Sequence, residues 1–115
     1  MDIQHSNALN ELYDLFVSKI ESEFNVEEDS SNYDKTDGEL TLLINNYELY
    51  VGFGNDVTVI FNFWKKEQQV IPIVFDSGEW FVSPYSDWND SPNPQKFDES
   101  YLNRIVRHFK AISKN

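Results

Sequence analysis

The sequence contains no cysteine, and its 115 residues include only two histidines, four glycines and four prolines. Without cysteine there are no disulfides, thiolate metal ligands or cysteine nucleophiles, and two histidines are too few for the usual zinc sites. No apolar run approaches the roughly 20 residues that cross a membrane. Residues 1–10 also lack the basic and then apolar pattern of a secretion signal. We therefore expect a cytoplasmic protein with no metal and no other cofactor.

Positive charge is scarce as well. Nine Lys and Arg residues stand against 20 Asp and Glu, so the net charge is −11 and the sequence pI is near 4.4. A surface this acidic repels phosphates, which disfavours binding to nucleic acid or to an anionic membrane. If the partner is charged, we expect it to be basic.

The charge is distributed unevenly along the chain. Residues 1–95 contain 18 acids and 4 bases, net −14, whereas residues 96–115 contain 2 acids and 5 bases, net +3. The most acidic stretch lies within residues 25–39. A run of charge is often only a solvated surface, and the alternative is that it attracts a basic partner.

The chain nevertheless has the apolar content of a folded protein. Forty per cent of its residues are hydrophobic and 16% are aromatic, which is enough to bury a core. The length is typical of one domain, which we expect to span residues 1–115. Apolar residues at three- and four-residue steps predict a helix over residues 6–24 and a second one from Phe97 or Asp98 to Ile112.

Alternating apolar residues and short turns between these helices predict four or five strands: Leu40–Ile44, Tyr47–Phe53, Val57–Trp64, Val70–Phe75 and Glu79–Val82. Asn45 and Asn46 suit the positive φ angles of a tight hairpin. Pro72 lacks a backbone donor and indicates an edge strand or a bulge. Residues 25–39 and 83–95 fit neither period and are predicted to be loops.

This order of elements predicts an α+β fold with an N-terminal helix, a four- to five-stranded antiparallel meander and a C-terminal helix. The central strands carry apolar residues on both faces. We therefore expect the helices to cover one face of the sheet and to leave the other partly exposed.

The sequence contains no convincing catalytic motif. Gly52-Phe53-Gly54 begins like a dinucleotide-binding fingerprint but continues into a strand. Ser77 lies in a turn that lacks the glycines of a nucleophile elbow. His5 lies in or just before the first turn of the first predicted helix, and His108 lies on the last one. Neither belongs to a recognisable acid–base constellation. We expect no catalytic residue and no enzymatic activity.

The loop at residues 83–95 is long and rich in proline, and it combines aromatic with acidic side chains. Trp and Tyr dominate binding hot spots, and a stiff loop loses less entropy on binding. Alternatively, Tyr85 and Trp88 pin the loop onto the sheet while Trp80 belongs to the core. The candidate partner-binding residues of the chain are Glu27, Glu28, Asp29, Asp34, Asp37, Tyr85, Asp87, Trp88 and Asp90.

A small, cysteine-free, acidic α+β protein with aromatic residues such as Tyr85 and Trp88 in an acidic loop resembles the immunity proteins of bacterial toxin–immunity systems, including contact-dependent inhibition. The resemblance covers size, charge and element order over the whole chain, and no specific motif. It implies a cytoplasmic bacterial protein, either a monomer or a small homo-oligomer. Such a protein would neutralise a cognate basic toxin domain, such as a nuclease, by occluding its active site or an adjacent surface.

Two other functions are compatible with the sequence. An acidic nucleic-acid mimic would inhibit a DNA-binding protein and would need carboxylates spaced like phosphates. A small ligand-binding domain or enzyme would use the exposed sheet face, with Tyr50, Trp64 and Trp80 lining a pocket.

Overall fold

The computed structural model describes residues 3–24, 30–34, 38–63, 68–84, 86, 88–89 and 91–113, and of residues 30–34 and 63 only the backbone. The order of elements in this part of the chain is a helix, seven strands and a second helix, which confirms the predicted α+β class. The helices are α1 (Ile3–Glu23) and α2 (Glu99–Ser113). The strands are β1 (Ser30–Asp34), β2 (Glu39–Ile44), β3 (Tyr47–Phe53), β4 (Val57–Phe63), β5 (Gln69–Asp76), β6 (Glu79–Val82) and β7 (Gln95–Lys96).

All seven strands form one antiparallel sheet whose spatial order, β1 to β7, follows the sequence. Asn45 and Asn46 have φ angles of 51° and 69°, which confirms the tight hairpin turn between β2 and β3. The number of strands in the described residues is higher than the predicted four or five, because β1 and the first residue of β7 lie in segments predicted to be loops. β1 has a single aromatic residue, Tyr33, among polar ones, and β7 has only two residues, so neither shows an apolar alternation.

The prediction of an edge position or a bulge for Pro72 is wrong. β5 lies inside the sheet between β4 and β6, and Pro72 pairs with Thr58 in regular register. The carbonyl of Pro72 accepts a hydrogen bond from Ser83 N at 3.0 Å. Both backbone polar groups of a strand residue point to the same neighbour, so the missing donor of Pro72 faces the end of β6. The ladder between β4 and β5 therefore loses no hydrogen bond at Pro72.

Helix α1 begins at Ile3, three residues before its predicted start. The His5 ring stacks on Phe75 with centroids 4.7 Å apart, so the first turn gains a tertiary contact that the apolar pattern does not show.

Helix α2 begins near its predicted position. The Asp98 side chain caps it, because Asp98 Oδ1 accepts a hydrogen bond from Tyr101 N at 3.0 Å.

Both helices pack on one side of the sheet, the inner face. The buried Phe16 ring of α1 meets the edge of Phe53 at 5.6 Å and stacks on Phe97 at 5.8 Å. Phe109 of α2 lies 6.3 Å from Phe61. The inward side chains of the central strands are fully buried: Leu40, Leu42, Leu49, Val51, Val57, Val59, Ile71 and Ile73.

Candidate functional site

The loop between β6 and β7 is held together by the side chain of Asn89. Its Nδ2 amide donates to the carbonyl oxygens of Val82, Ser83 and Asn93 at 3.1, 3.2 and 2.9 Å. Its Oδ1 accepts a hydrogen bond from Ser91 N at 2.8 Å. Because an amide has both donors and an acceptor, this one side chain connects the two ends of the loop.

Ser86 fixes the middle of the same loop. Its side chain is buried, and its Oγ accepts a hydrogen bond from Trp88 N at 3.2 Å. Ser86 N donates to Ser83 O at 3.1 Å, and Asn89 N donates to Ser86 O at 3.0 Å. The described part of the loop therefore has a defined, hydrogen-bonded conformation.

Trp88 attaches this loop to β4 and α2. Its indole stacks on Phe61 at 5.3 Å and meets the edge of His108 at 4.8 Å. The Arg104 guanidinium lies 4.9 Å over the indole. The Trp88 carbonyl accepts hydrogen bonds from Tyr101 Oη at 2.7 Å and from Arg104 at 3.3 Å. Trp88 therefore pins the loop to the sheet, one of the two roles that the sequence left open.

His108 lies beneath the loop among aromatic rings. Its ring is edge-on to Phe61 at 5.0 Å as well as to Trp88. Burial lowers the pKa of His108, and the positive charge of Arg104 lowers that pKa further. Both effects favour the neutral imidazole, which suits an apolar contact.

Most of the predicted partner-binding residues fall outside the described part of the chain: Glu27, Glu28, Asp29, Asp37, Tyr85, Asp87 and Asp90. The backbone of Asp34 ends β1 opposite Glu39. The two described candidates, Asp34 and Trp88, are therefore not brought together. Sequence reasoning missed Asn89, although an Asn in a loop rich in Pro and Ser is a common local hydrogen-bonding residue.

The face of the sheet opposite the helices, which we name the open face, has an apolar centre. The strand register places Tyr50, Ile60 and Val70 side by side across β3, β4 and β5. Val70 is 43% exposed. Polar side chains normally occupy the solvent side of an antiparallel sheet. The centre of the open face consists of Tyr50, Ile60, Val70, Pro72, Val74 and Phe81.

Carboxylates border this apolar centre on two sides. Glu39 and Glu48 lie beside it on β2 and β3, and Asp76 and Glu79 lie at the turn between β5 and β6. Among the side chains described on this face, Lys96 is the one base, and its Nζ pairs with Glu79 Oε1 at 3.1 Å. The open face therefore combines an apolar centre with a negative border.

Tyr50 is held in place on the open face by its neighbours. A Cβ added at Gly52 would lie 3.2 Å from Tyr50 Oη, so the absence of a side chain at position 52 leaves room for the tyrosine ring. The hydroxyl donates to Glu39 Oε1 at 3.2 Å. Burial raises the pKa of Tyr50, and the carboxylates of Glu39 and Glu48 raise it further. Tyr50 is therefore a positioned aromatic group that keeps its proton.

The aromatic residues expected to line a ligand pocket do not share a face. Trp80 is buried on the inner face, where its ring lies 4.9 Å from Phe75, whereas Tyr50 lies on the open face. Trp64 lies outside the described residues. Tyr50 and Trp80 therefore do not line one pocket, as the ligand-binding alternative requires.

Two clefts lie elsewhere on the described surface. One of about 590 Å³ is lined by Phe24, Ile44 and the last turns of α2, and one of about 220 Å³ lies between α1 and the turn that precedes Trp80. Among the residues that the structure describes, no cluster of His, Asp and Glu could hold a metal ion. None of the helices in that part of the chain has both the length and the apolar character needed to span a bilayer.

Comparison with protein-family models, curated proteins and solved structures found no match to this chain. Its own residues and their geometry therefore carry the functional inference.

Proposed function

We propose that this protein is a binding inhibitor of the immunity type, which neutralises a cognate basic toxin domain, such as a nuclease, by covering its active site or an adjacent surface. The observation that carries this proposal is that the described part of the loop between β6 and β7, in an acidic protein, is preorganised by its own hydrogen bonds. Asn89 and Trp88 fix the described part of that loop, and Asp87 and Asp90 flank these two residues in the sequence. A loop ordered before binding loses less entropy in the complex.

Charge supports the same proposal. The net charge of −11 creates a field that attracts a basic partner. Opposite fields raise the rate of encounter, whereas a few desolvated aromatic and carboxylate anchors slow dissociation. An inhibitor of a toxin that acts inside the cell would work in the cytoplasm, and that location is part of the proposal.

Complex formation with the protein encoded by the adjacent gene tests this function. We expect a complex whose affinity falls, mainly through a slower association rate, as salt rises from about 0.01 M to about 1 M and the screening length shortens from about 30 Å to about 3 Å. Isothermal titration and stopped-flow mixing measure the two quantities. The absence of a complex, or a complex with no salt dependence, contradicts the proposal.

Charge reversal in the loop provides a sharper test. We expect Asp87→Lys and Asp90→Lys each to slow association several-fold, because each removes an attractive charge next to a fixed position. Glu21→Lys is the matched control, since Glu21 is exposed on α1 and its reversal changes the net charge by the same amount. Equal slowing by all three variants would mean that total charge, and not the loop, governs the encounter.

A further inference from the structure

We propose that the open face is the surface on which the basic partner docks, and that the partner covers it with apolar side chains ringed by lysines or arginines. This inference rests on the proposed function, because it names the surface that the inhibitor uses. To the loop it adds a second surface, formed by the central strands β3, β4, β5 and β6.

The apolar centre of the open face is the first observation. Tyr50, Ile60 and Val70 form one cross-strand row on the side opposite both helices. Leu43, on the neighbouring strand β2, is 43% exposed on the same side, as is Val70. A contiguous apolar patch of about a few hundred Å² on a protein surface often marks an interaction site.

The apolar centre of the open face has the size of an interface core. The four central strands β3 to β6, with about 4.8 Å between neighbours, span about 14 Å, and a strand of seven residues at about 3.3 Å each is about 23 Å long. The product, about 330 Å², is less than half of the roughly 800 Å² that each side of a standard interface buries. The apolar centre can therefore form the core of an interface, with the surrounding carboxylates in its rim.

Charge complementarity selects the occupant. Glu39, Glu48 and Asp76 border the apolar centre, and Lys96 is already paired with Glu79. A second copy of this chain would bring two negative borders together, and a phosphate-bearing surface would be repelled. A protein with basic residues around an apolar centre would instead pair with the border while its apolar side chains cover Ile60.

Tyr50 gives this surface a fixed aromatic anchor. Its ring lies over Gly52, and its hydroxyl is bonded to Glu39. The guanidinium of an arginine stacked on the ring would gain a cation–π contact and would also approach the Glu39 carboxylate. A positioned ring loses little entropy when it is covered, which is typical of a binding hot spot.

The test is the affinity of the complex with the protein encoded by the adjacent gene, measured for Val70→Arg and for Ile3→Arg. Both substitutions replace an exposed aliphatic residue and add one positive charge, but Ile3 lies on α1. We expect Val70→Arg to weaken binding by at least about tenfold and Ile3→Arg by less than about twofold, because a charge at the centre of an interface is desolvated without a partner. Circular dichroism and urea unfolding check that both variants are folded.

Leu43→Arg on β2 keeps the test decisive if Val70→Arg does not fold. Methyl NMR of the wild-type complex supplies a second measurement. We expect the Ile60 and Val70 methyl signals to shift on binding, and those of the buried Ile73 and Ile105 to remain nearly unchanged.

The outcomes separate the two proposals. If wild-type protein binds while the open-face variants bind like Ile3→Arg, or if the Ile60 and Val70 methyl signals do not move, the open face is not the docking surface and the inhibitor function stands. If the wild-type protein does not bind the adjacent gene product, both proposals are wrong.

Discussion

Gly38 has the most constrained backbone of the described glycines. Its φ is +69°, and an added Cβ would lie 2.6 Å from the carbonyl oxygen of Phe53. Phe53 N also donates to Gly38 O at 2.7 Å, so the two backbones are held together. A side chain at position 38 would be strained by the left-handed backbone conformation. It would also clash with the carbonyl oxygen of Phe53.

We therefore expect Gly38→Ala to lower the free energy of unfolding by about 1–3 kcal/mol. Gly54→Ala is the matched control, because the nearest atom to its Cβ would be Asp56 O at an ordinary 3.7 Å. That substitution should change the free energy by less than about 1 kcal/mol. Urea unfolding followed by fluorescence measures both, and equal losses would contradict the proposed constraint at Gly38.

His108 should make stability depend on pH. Its folded pKa is lowered by burial and then by Arg104, whereas the unfolded chain has the ordinary value of 6.5. Below that value the unfolded chain binds more protons, so the contribution is complete above pH 6.5 and is lost as pH falls through the folded pKa. We expect the urea midpoint to fall on going from about pH 7.5 to about pH 5.5.

The variant His108→Gln isolates this effect, because it removes the titrating ring and should flatten the pH dependence over that window. The Glu23 carboxyl, whose pKa is lowered by its hydrogen bond with Lys110, titrates below 4.5 and does not interfere. An unchanged pH dependence in the variant would exclude His108 as its source.

At the scale of elements, the loop between β6 and β7 depends on the donors of one amide. Asn89→Asp keeps the shape of the side chain but replaces the NH₂ group with an oxygen that faces the carbonyls of Val82, Ser83 and Asn93. We expect a loss of about 1–3 kcal/mol in the free energy of unfolding, because hydrogen-bonded acceptors lose their donor and face negative charge instead.

The same chemical change at Asn93, whose side chain is exposed, serves as the control. Asn93→Asp should have little effect on the urea midpoint. A loss at Asn93 equal to that at Asn89 would mean that added negative charge, and not the hydrogen bonds of Asn89, causes the destabilisation.

The strands show what the sequence can predict and why. β3 and β6 have the predicted bounds, since their apolar residues alternate and clear turns flank them. β1 could not be predicted, because only its pairing with β2 makes the mostly polar residues Ser30–Asp34 a strand. The loop was predicted as an aromatic and acidic segment, but the contacts of Trp88 with Phe61 and His108 join parts far apart in the sequence.

At the scale of the whole molecule, the distribution of charge partly follows the division into a helical layer and an open face. The last helix is the basic part of the chain, and it places Arg104, Arg107 and Lys110 in the helical layer. Glu39 and Asp76 are distant in sequence and lie on the opposite side, on the open face. The sequence indicated an exposed second face, but only the strand register could bring Tyr50, Ile60 and Val70 together.

The two edges of the described sheet have a consequence for solubility. β1 is a mostly polar strand, and β7 has only two residues, follows Pro94 and includes Lys96. Short, charged or proline-flanked edges discourage another chain from adding a strand. The addition of further strands is therefore disfavoured at both β1 and β7. The apolar centre of the open face can thus be exposed between these edges without the protein growing into fibrils.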